Sequence, residues 1–138
     1  KAADWDKKKT RVALAGAIAE AISDLPLNRE MSAMEYGCGT GLVGLALAPR
    51  LGKLTAVDTS PGMLEVLQQK IDTAGVHNVT PLQLDLAHEP CVDRFDLIFS
   101  AMTLHHIEAA NDILAVFCHL LNDGGYLAIA DLDREDGS

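Results

Sequence analysis

Five short apolar runs, separated by segments of helical periodicity, constrain the fold of this 138-residue chain more than any other feature. The runs are Ser32 to Tyr36, Leu54 to Val57, Val79 to Leu84, Phe95 to Ser100 and Tyr126 to Ala130. Most do not alternate between apolar and polar residues, which is how a strand buried on both faces of a parallel sheet reads. Residues from Asp6 to Asp24 carry Val12, Ala15, Ile18, Ala19, Ile22 and Leu25 at helical spacing, with Pro26 as the stop. Gly41 to Leu51 is an alanine- and leucine-rich second helix ended at Gly52. Ser60–Pro61 reads as the cap and first-turn proline of a third. Its apolar face is Met63, Leu64, Leu67 and Ile71, and Gly75 ends it. A fourth helix runs from Ala109 to Leu121, followed by a turn over Asn122–Gly125. Strands alternating with helices predict an α/β chain built on a mostly parallel sheet of about five strands, with helices on both faces. The length suits a single domain spanning residues 1–138.

In such sheets ligands bind outside the carboxyl ends of the strands, where strand order reverses. Glu35, Asp58, Asp85 and Ser100 all fall at or near such ends. Three carboxylates on one rim repel one another, and a purely structural sheet has no need of them. Gly37, Gly39 and Gly41 follow the first run directly, where backbone passes close to something. The plain alternative is a tight strand-to-helix turn with no ligand. A dinucleotide loop, G-x-G-x-x-G, would place its third glycine where Leu42 stands, and Glu35 would repel a pyrophosphate. A phosphate-cradling P-loop would need G-K-[ST], which does not follow. A ligand with a positive centre and no phosphate fits better. Glu35 would attract an ammonium group, and Asp58, 21 residues past Gly37, would accept from both ribose hydroxyls. Asp85 would accept from an exocyclic adenine amine. Cationic head, ribose and adenine together describe S-adenosyl-L-methionine.

The formal net charge of −9 disfavours non-specific binding to nucleic acid or to an anionic membrane. The one basic group, Lys7 to Lys9 with Arg11, reads as a solvated helix face. No apolar run approaches the roughly 18–20 residues of a membrane span. Cys38, Cys91 and Cys118 are odd in number and lack C-x-x-C spacing, which favours free thiols in a reducing cytoplasm and no metal site.

EYGCGTG, VDTSPGML, LQLDL, FDLIFSAMTLHHI and LLNDGGYLAIAD, in that order between Met31 and Asp131, resemble the motifs of class I S-adenosylmethionine-dependent methyltransferases. The likeness is nearest to the small-molecule type, which includes quinone-biosynthesis enzymes. It implies a Rossmann-like doubly wound sheet and methyl transfer to a small-molecule acceptor. Glu35, Gly37, Cys38, Gly39 and Gly41 would line the methionine part of the cofactor. Asp58 would hold the ribose, with Thr59 and Met63 beside the adenosine. Asp85 and Leu86 would contact adenine, the latter by its backbone amide. Ser100 and Ala101 would flank the cofactor near the transferable methyl. The family's sheet has two further strands after the fifth, so the chain is expected to be truncated at its C-terminus. The fifth strand would then be an open edge through which a homodimer could pair. A cofactor-binding or assembly module without activity of its own is the alternative, and truncation argues for it.

Four side chains invite more. Cys38 sits between two glycines with no histidine base in local reach, which favours a small packed side chain over a nucleophile. His105 and His106 follow the fourth strand. A structural role at a helix start is favoured over catalysis there, and metal ligation is disfavoured. If one of them acts as a general base, His105 is nearer the strand. Trp5 either covers the core or closes over the cofactor, and the sequence does not choose between these.

Overall fold

The computed structural model describes residues 2–102 and 107–131. In chain order the elements are α1 (Ala2–Ile22), β1 (Ser32–Tyr36), α2 (Leu42–Leu47), a 3-10 turn (Ala48–Arg50) and β2 (Lys53–Asp58). Then come α3 (Pro61–Ala74), β3 (Val79–Gln83), β4 (Phe95–Met102), α4 (Ile107–Leu120) and β5 (Leu121–Asp131). All five strands pair in parallel, in the order β3-β2-β1-β4-β5. The chain runs outward from β1 through β2 to β3, then returns to the other side of β1 with β4. The order therefore reverses between β1 and β4, and the crevice for a ligand lies at their carboxyl ends.

Side-chain alternation divides the interior into two layers. Ala33, Leu54, Ala56, Leu97 and Phe99 pack with α1, α2 and α3, through residues such as Ala15, Leu47 and Leu67. Met34, Val57, Phe95 and Ile98 pack with Phe117 and Leu120 of α4 on the other face. Glu35, two residues after Ala33, points to the three-helix side. Asp96 fastens the far end of the sheet: Ser32 N donates to its Oδ2 at 2.9 Å and Asn122 Nδ2 to its Oδ1 at 3.0 Å.

The third helix starts and stops where expected. Ser60 Oγ accepts from Met63 N at 3.3 Å, and Gly75 takes the left-handed conformation at its end. Among the boundaries that differ, two have a local cause. The second helix is α-helical only to Leu47, because Pro49 has no N–H to continue the ladder, and the chain tightens into the 3-10 turn. Residues 122–125, read as a turn, lie inside β5. Phe95 pairs with Leu121 but Leu97 with Tyr126, so the extra residues bulge from the strand. Among the described residues β5 pairs only with β4 and stands at the end of the sheet.

Candidate functional site

The loop after β1 turns on three left-handed glycines, Gly37, Gly39 and Gly41, with φ of 72°, 57° and 87°. A residue with a Cβ resists that conformation. The loop's amides are turned inward. Gly37 N and Cys38 N both donate to Val57 O, at 2.8 and 2.9 Å, and Gly41 N donates to Cys38 O at 2.9 Å. Gly39 N donates to Asp58 Oδ2 at 2.8 Å, while Asp58 Oδ1 accepts from Ser60 N at 2.9 Å. One carboxylate thus ties the glycine loop to the cap of α3. With these four amides spent on protein acceptors, the loop does not present the row of N–H donors that a pyrophosphate requires.

Glu35 is 3 % exposed, and its Oε1 has no hydrogen-bond partner. Burial pushes its carboxyl up to about 8. The Gly44 amide in the first turn of α2 opposes the rise without closing a hydrogen bond to Oε1, and the charge of Asp58 adds to it. A buried carboxyl with an idle oxygen is costly unless a ligand completes it.

That carboxyl lines a cavity of about 260 Å³. Gly37, Cys38, Gly39 and Thr40 form one wall, Leu42 and Val43 of α2 another, and Met63 and Ala101 close two corners. A Cβ added to Gly37 or Gly39 would meet no protein atom within 4 Å, so the space facing them is open. The remaining wall is α1, through Arg11, Leu14, Ala15 and Ile18. Six of the twelve residues expected to bind cofactor therefore meet here: Glu35, Gly37, Cys38, Gly39, Met63 and Ala101.

The other six lie around it. Gly41 is buried where a Cβ would come 2.5 Å from Leu67 Cδ1. Asp58 ties the loop as described. Thr59 is exposed, its carbonyl accepting from Gln83 Nε2 at 3.3 Å. Asp85 Oδ1 accepts from Ala87 N at 3.0 Å, and its Oδ2 faces His88 Nδ1 at 3.0 Å. Leu86 is buried. Ser100 is buried, and its Oγ donates to Tyr36 O at 2.7 Å, joining β4 to β1 at the crevice. Burial, then the charges of Glu35 and Asp58, push the Cys38 thiol up to about 12, which suits a packed side chain and not a nucleophile. His105 and His106 lie outside the described residues, as does the Trp5 side chain.

Two contributions escaped the sequence reading. One is the α1 wall. Arg11, Leu14, Ala15 and Ile18 share a helical face by their spacing, but nothing local says that this face covers a glycine loop. The other is Gly44. A Cβ there would lie 2.5 Å from Glu35 Oε1, so glycine is what leaves room for the buried carboxyl. Its signal was the second glycine of Gly41-x-x-Gly44, one helical turn along.

A larger cavity of about 530 Å³ lies between α1 and β5, lined by apolar residues and Tyr126. It holds no charged group. Among the described residues no cluster of His, Cys, Asp or Glu could hold a metal ion, and no helix is long and apolar enough to cross a membrane. All three cysteines are free.

Residues 33–125 match the family described as "Methyltransferase domain". The chain is 36 % identical over 124 residues to the biotin biosynthesis bifunctional protein BioCD of Bordetella avium, covering 88 % of this chain and 26 % of that protein. It is 29 % identical over 104 residues to the ubiquinone biosynthesis O-methyltransferase of Xylella fastidiosa, covering 73 % of this chain and 42 % of that one. Among solved structures, it is similar to a SAM-dependent methyltransferase from Aquifex aeolicus, with a TM-score of 0.72 and 25 % identity over 88 % of this chain and 68 % of that chain. The chain spans about a quarter to two-fifths of the length of these two curated relatives.

Proposed function

This chain belongs to the methyltransferase domain family, and from that premise we propose that it binds S-adenosyl-L-methionine and directs its methyl group to a small-molecule acceptor. The observation that carries the reading is Glu35: a buried carboxylic acid with an unsatisfied oxygen, facing an open cavity beside left-handed glycines. An ammonium group would complete that oxygen. A dinucleotide finds no fit there, since the loop amides are already bonded and Glu35 would face its phosphates.

The residues present fit the cofactor part by part. Glu35 would take the ammonium, with Gly37, Cys38 and Gly39 flanking the methionine chain. Asp58 has a second lone pair on each oxygen with which to hold the ribose, beside Thr59 and Met63. Asp85 and Leu86 would border the adenine. Ser100 and Ala101, towards the end of β4, would flank the cofactor near the transferable methyl. The cofactor supplies a methyl carbon on a cationic sulfur, and its loss leaves a neutral thioether, so the protein need not provide the reactivity. What the chain contributes is orientation and exclusion of water. His105 is the candidate base on its position after β4 alone. The open edge of β5 supports pairing with a second chain, checked by whether sedimentation at rising concentration shows dimer.

Isothermal titration with S-adenosylhomocysteine should give micromolar binding. Undetectable heat, or equal binding of a nicotinamide dinucleotide, would reject the reading. Incubation with the labelled methyl donor and a panel of phenols, quinones, carboxylates and amines then separates an enzyme from a binding-only module.

A further inference from the structure

The geometry points to Lys70 of α3 as a positioning residue for the methyl donor. It pins Thr40, and through Thr40 it fixes the part of the glycine loop against which the donor's amino-acid portion would lie. The inference rests on the cofactor reading above and adds to it a residue that does not itself line the cavity.

The loop is held firmly at its start. Gly37 N and Cys38 N both donate to Val57 O, and Gly39 N donates to Asp58 Oδ2. Gly41 N closes a turn inside the loop, on Cys38 O. Between them stands Thr40, flanked by two left-handed glycines. Glycine rotates about its backbone at little steric cost, so Thr40 is where the loop most needs a hold from outside. Lys70 supplies it. Its Nζ donates to Thr40 O at 3.1 Å and to Thr40 Oγ1 at 3.2 Å. Two bonds from one ammonium fix both the peptide carbonyl and the side-chain rotamer.

The spacing within α3 explains why this lysine reaches the loop. Met63, Leu67 and Lys70 are four and then three residues apart and share one stripe of the helix. Met63 lines the cavity. Leu67 is fully buried and packs close under Gly41, where a Cβ would come 2.5 Å from its Cδ1. Lys70 is half-buried, its stem covered and its head on Thr40. The start of α3 meets the same loop through Asp58, which accepts from both Gly39 N and Ser60 N. The helix thus grips the loop on either side of the Gly39–Thr40 link. Thr40 in turn lines the cavity that Glu35 also lines, with its Oε1 unsatisfied. Releasing Thr40 would alter the space facing Glu35 and leave Asp58 and Asp85, the residues of the nucleoside end, with their bonds intact. Lys70 therefore serves the amino-acid part of the donor and not its nucleoside.

The test is calorimetry on the full chain with two probes, S-adenosylhomocysteine and 5′-methylthioadenosine, which lacks the amino acid. Lys70→Met keeps the apolar stem and removes the donors. It should weaken S-adenosylhomocysteine roughly tenfold and leave methylthioadenosine within about twofold. Lys70→Arg, which puts donors back on a stem of similar length, should recover most of the loss. Without ligand, amide hydrogen exchange at Gly39 to Gly41 should quicken roughly tenfold in Lys70→Met while exchange in β1 holds its rate. Unchanged S-adenosylhomocysteine affinity, or unchanged exchange in the loop, would overturn the inference. Equal losses for both probes, or faster exchange in β1 as well, would make Lys70 a packing residue of α3 and overturn it too. Should the unaltered chain bind neither probe, the cofactor reading itself fails and this falls with it.

Discussion

Gly44 and Glu35 are made for each other: a methyl group on Gly44 would stand 2.5 Å from Glu35 Oε1 and 3.0 Å from Leu54 Cδ2. The leucine is fixed in the core, so the carboxyl must yield. Gly44→Ala should therefore swing Glu35 out of its recess towards the loop. Overpacking of this kind costs about 1–3 kcal/mol. We expect urea unfolding to show a loss of that size and calorimetry to show S-adenosylhomocysteine affinity down by roughly tenfold. A variant with normal affinity would mean that the recess is not where Glu35 works.

Glu35 also sets a pH dependence. Its carboxyl is held up to about 8 in the folded chain, against 4.5 ordinarily, chiefly by burial. Below pH 4.5 both states carry the proton. Between 4.5 and about 8 the unfolded chain releases it while the native one keeps it, so stability should fall as pH rises through that window and level off above it. Each pH unit of difference is roughly 1.4 kcal/mol, which makes a few kcal/mol the expected size. Glu35→Gln should flatten the slope and leave the variant the more stable protein at pH 8. Thermal melts from pH 5 to 9 check this. Because an ammonium ligand favours the ionised carboxylate, binding at pH 6.5 should also release about one proton, read from calorimetry in buffers of different ionisation enthalpy.

The thiols should react in an order set by exposure. Cys118 is exposed, Cys91 half-buried and Cys38 buried with its thiol pushed up to about 12. Iodoacetamide at pH 8, followed by peptide mass spectrometry, should label Cys118 first and Cys38 at least a hundredfold more slowly, since the thiolate is the reacting form. Cys38→Ala should keep S-adenosylhomocysteine affinity within about threefold. Fast labelling of Cys38 would argue for a reactive role.

The sheet was legible because short apolar runs bounded by polar residues leave little choice in a parallel arrangement, and Ser60–Pro61 and Gly75 mark α3 by local chemistry alone. The end of α2 at Pro49 and the bulge in β5 were less so, since each depends on how the chain packs on its neighbours. Glu35 stood out by sequence because a carboxylate beside glycines is odd in a strand. Arg11 did not, because in one dimension it belongs to a run of solvated lysines. What draws it to the cavity is the placement of α1 against the loop between β1 and α2, a tertiary fact with no local signature.

Asp58 shows why a single substitution can mislead. Its two oxygens already hold Gly39 N and Ser60 N, at 2.8 and 2.9 Å, so loss of binding on Asp58→Ala would follow from a loosened loop even without any ribose contact. Asp58→Asn separates the roles in part. Its single carbonyl oxygen can keep one of the two amides, and its NH₂ must face the other donor. An unmade bond of this kind costs about 1–3 kcal/mol, and hydrogen exchange at Gly39 or Ser60 should quicken accordingly. The ribose contact is then read from a cycle with the 2′-deoxy analogue of S-adenosylhomocysteine. If Asp58 accepts from that hydroxyl, the unaltered chain should lose roughly tenfold on removing it and Asp58→Asn should lose much less. Equal losses in both proteins would assign Asp58 to the loop alone and leave the ribose to other residues.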